Sequence, residues 1–299
     1  MQPYNTSELS KRKIGKREVH CFHPGEENID LETVQSFGEE WLKFNAFSAE
    51  EIKSAGDQYF DIVTEKELND SSYVLDLGCG SGRWTKYMAS KSKFIEAVDP
   101  SHAVFSAIQA YNDLDNVRFT QAGVDTIPFN DNTFDFVISL GVLHHIPDTE
   151  KALTSLIRKL KPGGHALIYL YYALDNRGFL FRFIFNVSTL VRRVVSKLPH
   201  ALKQFICDLL AICIYLPLIG LSKLVKAIVP GKLHMKIPLV YYRDKSWNII
   251  RNDALDRFGT PLEQRFNKVQ ITSMLKAAGM SIVRFSENEP YWHVLAQKK

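Results

Sequence analysis

Three glycines stand at alternate positions between an apolar run and a helical pattern, in the stretch VLDLGCGSGRWT over residues 74–85. Gly78, Gly80 and Gly82 leave the backbone bare, so a ligand can approach it closely, and the following helix offers free N–H groups. The spacing is G-x-G-x-G, whereas a dinucleotide site needs G-x-G-x-x-G, and Arg83 stands where its third glycine would be. The pattern predicts a site for an adenosine-type ligand.

Two carboxylates accompany this loop. Asp76 precedes the first glycine, where its charge would repel a pyrophosphate but suits a ligand that carries an ammonium group. Asp99 ends the next predicted strand, where a carboxylate can accept hydrogen bonds from both hydroxyls of a ribose. Dinucleotide sites share the second feature, so Asp76 is the residue that discriminates between the two kinds of ligand.

The surrounding segments alternate between strand and helix patterns. Apolar runs at VLDL, FIEAVD, VRFTQ, FDFVISL and HALIYLYY are typical of strands, and the stretches between them are typical of amphipathic helices. Together with MSIVRF and YWHVLAQ near the end, they predict an α/β fold. We expect a Rossmann-like, doubly wound, mostly parallel seven-stranded sheet with an antiparallel closing strand, plus a helical insert. In such sheets ligands bind beyond the carboxyl ends of the strands.

Four pieces of sequence, in a fixed order, support a family resemblance. They are VLDLGCGSG, EAVDPS, TIPFNDNTFDFVISLGVLHHIPD and LKPGG. With these pieces, residues 70–172 and the last 40 residues resemble the class I S-adenosylmethionine-dependent methyltransferases, in the small-molecule branch that includes quinone-biosynthesis enzymes. The resemblance implies S-adenosyl-L-methionine as the cofactor and methyl transfer as the reaction.

The resemblance also implies a role for each residue of the cofactor site. Residues after the first strand of the motif would hold the methionine half: Asp76, Gly78, the backbone of Cys79, and Gly80. Residues after the second would hold the ribose and flank the adenine: Asp99, Pro100 and Ser101. Leu140 would line the floor of the pocket near the methionine portion.

The chain departs from the family at Gly123. Many members have an acidic residue there, which binds the adenine amino group, and a glycine has no side chain to do so. The backbone of Val124 or the side chain of Asp125 would have to substitute.

Two adjacent histidines are the candidates for catalysis. Methyl transfer depends mainly on positioning, but a hydroxyl acceptor benefits from a general base. His144 and His145 follow the fourth strand of the motif, beside the expected acceptor pocket, and histidine titrates in the range that a base requires. The alternative is that the pair packs or caps the loop before Pro147. His145 is the preferred candidate.

Other polar residues carry less chemistry. His293 lies in a probable strand and is expected to be a core or surface residue, and Asp135 is expected to be structural. Cys21 and His23 have no second ligand pair nearby, so no metal site is predicted. The Asn/Asp-Pro-Pro-Tyr/Phe motif of base-modifying methyltransferases is missing from the sequence, which makes nucleic acid an improbable substrate.

The chain divides into four predicted segments: an N-terminal basic arm and helical lid (1–50), a cofactor-binding core (51–172), a basic apolar helical insert (173–255) and a C-terminal completion of the core sheet (256–299). The arm, with KRKIGKRE, is expected to be solvated. Phe37, Trp41 and Phe44 form one apolar helical stripe, which either packs in the core or closes over a ligand.

The insert differs from the rest of the chain in charge and hydropathy. Residues 176–242 contain ten Lys and Arg and one acid, Asp208, whereas the whole chain has a formal net charge of +4. They also contain thirteen consecutive residues without charge, 209–221, which is shorter than a membrane span requires. Two interpretations stay open, and they are compatible: a helical cap over the acceptor pocket, and peripheral docking on an anionic membrane.

The sequence therefore predicts a methyltransferase for a small-molecule or lipid-like acceptor, with oxygen as the preferred methylated atom. An RNA-directed methyltransferase and a catalytically silent, cofactor-binding scaffold are the alternatives. The first twenty residues contain no apolar leader and the four cysteines form no CxxC pair, so the expected location is the cytoplasm, with a peripheral position at the inner face of a membrane if the insert docks there.

Overall fold

The computed structural model describes residues 1–25, 27–43, 47–231 and 233–299. It divides into two compact units, one formed by residues 1–175 and 262–299 and the other by Asn176–Pro261. The second unit corresponds to the insert that was predicted over 173–255. Phe44, the third member of the apolar stripe, lies outside the described residues.

The strands of the described chain, in order, are β1 (Ser10–Ile14), β2 (Arg17–Cys21), β3 (Tyr73–Leu77), β4 (Phe94–Asp99), β5 (Val117–Gln121), β6 (Phe134–Leu140), β7 (Leu160–Tyr169), β8 (Met280–Phe285) and β9 (Val294–Lys298). The α-helices are α1 (Leu31–Lys43), α2 (Ala49–Tyr59), α3 (Arg83–Ala89), α4 (Ala103–Ala110), α5 (Thr149–Lys159), α6 (Phe179–Val195), α7 (His200–Leu210), α8 (Leu216–Ile228), α9 (Trp247–Gly259) and α10 (Lys268–Ala277).

The strands form one sheet in the order β1-β2-β5-β4-β3-β6-β7-β9-β8. The strands from β2 to β7 in this order pair in parallel, whereas β9 runs antiparallel to both β7 and β8. Central strands such as β3 are buried along most of their length, because helices cover both faces of a parallel sheet. The Rossmann-like fold with an antiparallel closing strand is confirmed.

The sheet has two strands more than the predicted seven within the described residues. β1 and β2 form an antiparallel hairpin, and β2 pairs in parallel with β5. The expectation of a solvated tail over KRKIGKRE is therefore wrong in one respect: the segment is part of the sheet, although most of its side chains are exposed. Only Val19 and Cys21 of the hairpin face the core, and the Lys and Arg side chains of β1 lie exposed on an edge strand, where charge discourages pairing with other chains.

Local sequence explains where several helices begin. Ser48 and Glu51 form a reciprocal capping box at α2, as Asn267 and Gln270 do at α10. Asp148 caps α5 by accepting a hydrogen bond from the Lys151 N–H.

The second unit consists of α6, α7, α8 and α9 with short helical turns. The five residues Ala211–Tyr215 form a π-helical turn that joins α7 to α8, so that His200–Ile228 is one continuous helix. By length and composition this helix could cross a membrane, and 28% of its most apolar window is buried.

Gly123 is required by the path of the N-terminal segment. A Cβ atom on Gly123 would lie 1.7 Å from the carbonyl oxygen of Pro24, which comes three residues after the end of β2. The acidic side chain that many family members carry at this position is therefore excluded by backbone atoms rather than merely missing.

We predict that Gly123→Glu lowers the free energy of unfolding by about 1 to 3 kcal/mol, because the main chain at Pro24 must move to admit the side chain. Urea denaturation measures this change. Gly220→Ala is the matched control, since a Cβ there meets open space within a helix, and it should be neutral or slightly stabilising. Equal stability of Gly123→Glu and the wild type would contradict the packing described here.

Candidate active site

The glycine loop follows β3 and is fixed by both conformation and space. Gly78, Gly80 and Gly82 have φ of 78°, 53° and 81°, in the left-handed region that favours glycine. A Cβ on Gly78 would lie 2.3 Å from the side chain of Val142, in the loop after β6. The N–H groups of Gly78 and Cys79 both donate to the carbonyl oxygen of Val98, 2.8 and 3.1 Å away, so the loop is bound to the end of β4.

Asp76 is a buried carboxylate with one partnered oxygen. The residue is 1% exposed, and its Oδ2 atom accepts a hydrogen bond from the Thr85 hydroxyl at 2.6 Å. Oδ1 is buried and has no hydrogen-bond partner in the described part of the chain. Burial, with a smaller contribution from the charge of Asp99, raises the pKa of Asp76 to about 7.

An orphaned carboxylate oxygen beside bare backbone fits a ligand with an ammonium group. A buried charge is costly unless it is paired, and the chain supplies one hydroxyl where a carboxylate can accept about four hydrogen bonds. The residues present therefore fit the methionine end of S-adenosylmethionine. Thr85 was not identified from the sequence, because nothing in the glycine motif shows that its hydroxyl turns back toward the strand.

Asp99 holds the loop from the neighbouring strand. Oδ2 accepts the Gly80 N–H at 2.9 Å, and Oδ1 accepts the Ser101 N–H at 2.8 Å and the Ser101 hydroxyl at 2.5 Å. Burial raises the pKa of Asp99, while these hydrogen bonds oppose the shift. Three donors leave room for about one more hydrogen bond on an ionised carboxylate, so binding of a ribose hydroxyl remains compatible with the geometry.

Helix α1 packs against the segments that follow β3 and β4, the strands that carry Asp76 and Asp99. The indole of Trp41 approaches Gly80, with Nε1 3.3 Å from the position of a Cβ on that glycine. One turn earlier, Gly38 packs on Ser101 at a similar distance, and the ring of Phe37 lies 4.7 Å from that of His145. Two residues of the predicted stripe thus face the candidate site, and a lid role for α1 stays a prediction.

The remaining cofactor candidates lie around these residues. Leu140 is buried at the end of β6, and the carbonyl oxygen of Pro100 accepts a hydrogen bond from the Gln121 side chain at 3.1 Å. Val124 is buried beside Gly123, whereas Asp125 is exposed and accepts a hydrogen bond from Ser155 at 3.3 Å. Of the two proposed substitutes at the adenine position, only Asp125 has a side chain that can accept a hydrogen bond.

His144 and His145 are held in opposite tautomers. The Nδ1 atom of His144 lies 3.4 Å from the Tyr171 N–H and must accept from it, which places the ring proton on Nε2. The Nδ1 atom of His145 lies 2.7 Å from the Leu262 carbonyl oxygen and must donate to it, which leaves the lone pair on Nε2. The Nε2 atom of His145 can therefore accept a hydrogen bond, and that of His144 can donate one.

The surroundings of His144 reinforce this assignment. The residue is fully buried, its ring stacks on Tyr171 with centroids 3.8 Å apart, and its Nε2 has no partner among the described residues. Burial, together with the nearby His145 and Arg265, holds the pKa of His144 well below its usual value. His144 is neutral at physiological pH and does not act as a base through its protonated nitrogen.

The loop that carries the two histidines is fixed by distant segments. The Asn28 side chain exchanges two hydrogen bonds with the backbone of Asp148, at 2.8 and 2.9 Å. Gln264 donates from its backbone to the His144 carbonyl and from its side chain to the Ile146 carbonyl, at 3.0 and 2.8 Å. These contacts pre-organise the histidines before any acceptor binds.

His293 and Asp135 have structural partners. The Nδ1 and Nε2 atoms of His293 both lie 2.7 Å from acceptors, the Pro290 carbonyl oxygen and the Asp61 carboxylate. Asp135 accepts hydrogen bonds from the Tyr73 N–H and from Lys161. Among the described residues no group of three or more His, Cys, Asp or Glu side chains could hold a metal ion.

Comparison with known proteins assigns the class of this site. Residues 75–168 match the family described as a methyltransferase domain. This interval contains Asp76, the glycine loop, Asp99 and both histidines. Residues 75–168 therefore form a methyltransferase domain, and the cofactor that this match implies is S-adenosylmethionine.

Curated relatives differ in the reaction that their names state. The chain is 34% identical over 138 residues to the ubiquinone/menaquinone biosynthesis C-methyltransferase of Pasteurella multocida, which covers 41% of this chain and 49% of that protein. It is 34% identical over 104 residues to the tRNA U34 carboxymethyltransferase of Pseudoalteromonas atlantica, covering 33% and 32%. It is 22% identical over 190 residues to the ubiquinone biosynthesis O-methyltransferase of Coxiella burnetii, covering 61% and 79%.

The first of these relatives is matched over about half of its length and the second over about a third. The predicted family, fold and cofactor are confirmed by these matches and by the sheet. The individual roles of the site residues are still predictions.

We predict that Asp76→Asn changes how the stability of the ligand-free protein depends on pH. The folded-state pKa of Asp76 lies above its unfolded value of about 3.9, so this group favours folding at low pH and loses its contribution as pH rises to about 7. The stability of the variant relative to the wild type should therefore increase between pH 4 and pH 7, by at most about 1.4 kcal/mol per pH unit.

Urea denaturation at several pH values measures this difference. It should level off above pH 7, where Asp76 is ionised in both states. A difference that stays constant from pH 4 to pH 7 would show that Asp76 is not buried as a half-satisfied carboxylate.

Proposed function

We propose that this protein transfers a methyl group from S-adenosylmethionine to an oxygen atom of a small or lipid-like acceptor that contains a hydroxylated ring. The observation that carries the proposal is the unpartnered Oδ1 of Asp76 at the glycine loop, within the interval that matches a methyltransferase domain. This arrangement provides a counter-charge for an ammonium group, which a purely structural loop would not need.

The bound cofactor would supply an activated methyl group on a sulfonium. Asp76 would hold its ammonium group, and Asp99 would keep the glycine loop in place while contributing a hydrogen bond to the ribose. Because the methyl group is already activated, the protein's share of the work is to position the acceptor, exclude water and remove a proton.

Aromatic rings at the carboxyl end of β7 support an acceptor with a planar ring. Tyr169 ends that strand, with Tyr171 two residues later, and their ring centroids are 5.9 Å apart. Tyr59 lies 5.2 Å from Tyr169, and His144 stacks on Tyr171. A flat acceptor could stack in the same manner as these rings do with one another.

The opposite tautomers of the two histidines support oxygen as the methylated atom. The unprotonated Nε2 of His145 can accept the proton of an acceptor hydroxyl as the new bond to oxygen forms. The Nε2–H of His144 can donate to a neighbouring oxygen, such as a second hydroxyl or a carbonyl on the same ring. The names of relatives in quinone biosynthesis agree with a ring of this type, although one of them is a C-methyltransferase.

The alternatives receive less support from the described residues. The relative named for tRNA is matched over about a third of each chain, and the exposed side chains of Asn176–Pro261 are largely aliphatic, which differs from surfaces that stack bases. A catalytically silent scaffold would not require His145 to be held as a base.

We predict that His145→Ala lowers kcat for O-methylation by about 10² to 10⁴-fold, as expected for loss of a general base, with little change in cofactor affinity. The assay measures transfer of labelled methyl from S-adenosylmethionine to a catechol with an isoprenoid tail, supplied in detergent micelles. The defect should shrink at high pH, because a phenolic hydroxyl ionises by itself near pH 10.

His165→Ala is the matched control, since His165 lies in β7 and pairs with Phe136 and Gln297, away from the carboxyl end of the sheet. Full activity of His145→Ala at neutral pH would contradict the assigned base. Methylation of tRNA, with none of the catechol, would favour the RNA-directed alternative.

A further inference from the structure

Helix α6 exposes its apolar side to solvent. Phe179, Phe183, Val187, Leu190 and Val194 follow one another at intervals of three or four residues and are therefore on one face. Their exposed fractions are 78%, 56%, 49%, 62% and 63%. We call this row the outer face of α6.

The continuous helix His200–Ile228 has a second such row. Leu202, Phe205, Leu209, Ile212 and Leu216 repeat at helical spacing, and between 41% and 65% of each residue is exposed. Leu221, Leu224 and Ile228 extend the exposed apolar surface to the end of the helix. We call this row the outer face of the long helix.

The inner sides of the same helices carry several polar groups. The buried Arg192 of α6 donates hydrogen bonds to the backbone carbonyls of Thr260 and Pro261. Ser188 and Thr189, also on α6, accept hydrogen bonds from Arg257 through their hydroxyls. Apolar residues are buried on the inner sides too, among them Val195, Cys207 and Ile219, so the unit is apolar both inside and outside, whereas the outer surface of a water-soluble helical unit is mainly polar.

The long helix also has polar groups on its inner side. Asp208 forms a two-fold hydrogen-bonded ion pair with Arg251 of α9, with distances of 2.8 and 2.6 Å. About two turns further along, the buried Tyr215 donates to Asp253, which also accepts a hydrogen bond from Tyr242. Asp208, Arg251 and Asp253 thus find their partners within the unit, which is what an apolar environment on the outside favours.

The exposed charges of this unit indicate which kind of apolar environment the outer faces would meet. Among the cations of this unit whose side chains the structure describes, five are exposed: Arg182, Arg193, Lys197, Lys223 and Lys226. Arg182 and Arg193 each directly precede a member of the outer face of α6. Their long side chains therefore flank this face and can extend beyond it. An anionic surface complements this distribution, whereas a second copy of the same unit would bring like charges together.

We propose that Asn176–Pro261 docks on an anionic lipid bilayer, with the outer faces of α6 and of the long helix inserted among the acyl chains and the exposed Lys and Arg side chains at the headgroups. The long helix has 29 residues and would be about 44 Å long, more than the apolar core of about 30 Å. It lies in the plane of the interface rather than across it, because a span would place the Asp208–Arg251 pair and Asp253 within the hydrocarbon.

This proposal does not depend on the methyl acceptor. It gives a physical reason for the predicted peripheral location at the inner face of a membrane. It would also bring the protein to a surface where lipid-like acceptors are concentrated.

Vesicle flotation of the full chain tests the proposal. The wild type should float with vesicles that contain 30% phosphatidylglycerol in phosphatidylcholine, and much less with phosphatidylcholine alone. Raising the salt from 0.1 to 0.5 M should weaken but not abolish binding, since the apolar contribution is insensitive to screening.

The double variant Phe183→Glu/Leu190→Glu should reduce binding at least tenfold. Val269→Glu is the matched control: Val269 is 77% exposed on α10, in the other unit, and its change should leave vesicle binding unaltered. Circular dichroism and calorimetric binding of S-adenosylmethionine establish that each variant is folded.

Three results would overturn the proposal. The first is failure of the wild type to bind anionic vesicles. The second is equal binding by the wild type and the double variant. The third is concentration-dependent self-association, measured by sedimentation, that the double variant abolishes, because the outer faces would then meet in a second copy of the chain.

Discussion

Two carboxylates buried at the ends of neighbouring strands determine the geometry of the cofactor site. Asp99 accepts three hydrogen bonds, all from the chain around it, and in doing so ties Gly80 to the end of β4. Asp76 receives one, from Thr85, and keeps an unpartnered buried oxygen. The carboxylate that holds the loop, Asp99, is therefore well supplied with hydrogen bonds from the chain. Asp76 keeps an oxygen atom that could bind a cation.

The close packing of the loop above these two carboxylates explains why it contains glycines. Positive φ at three positions allows the chain to turn tightly above Asp76, and the neighbouring Val142 leaves no space for a Cβ on Gly78. A side chain in the loop would push the backbone away from both carboxylates. Because those carboxylates are buried, their orientation is costly to disturb, and the loop is pre-organised for its ligand.

Local motifs could indicate which residues lie together at the candidate site, because the members of each motif are contiguous in sequence. The glycine loop, Asp76 and Asp99 stand at strand ends, and alternation of strands and helices brings strand ends together at one edge of the sheet. The N-terminal hairpin was missed because β1 has no buried residues and β2 only two, so its pattern contains almost no apolar signal. Its pairing with β5 also joins segments about 100 residues apart.

The histidine tautomers could not be predicted from the sequence either. His145 is oriented by the carbonyl of Leu262, 117 residues away, and His144 by the N–H of Tyr171, 27 residues away. In the insert, composition showed that the helices are apolar and basic, but not which side faces inward. Only the contacts of Arg192, Asp208 and Tyr215 and the exposure of the two apolar rows show that polar groups are buried while much of the apolar surface is exposed.

The most direct test is calorimetric titration of the full chain with S-adenosylmethionine between pH 5.5 and pH 7.5, on the wild type and on Asp76→Asn. If Asp76 is the counter-charge for the ammonium group, the wild-type affinity should increase by up to tenfold per pH unit below about pH 7, as the carboxyl ionises. The variant should bind more weakly and with little dependence on pH in this range. Wild type and variant with the same affinity and the same pH dependence, or a wild type that does not bind the cofactor, would contradict the assignment of this site.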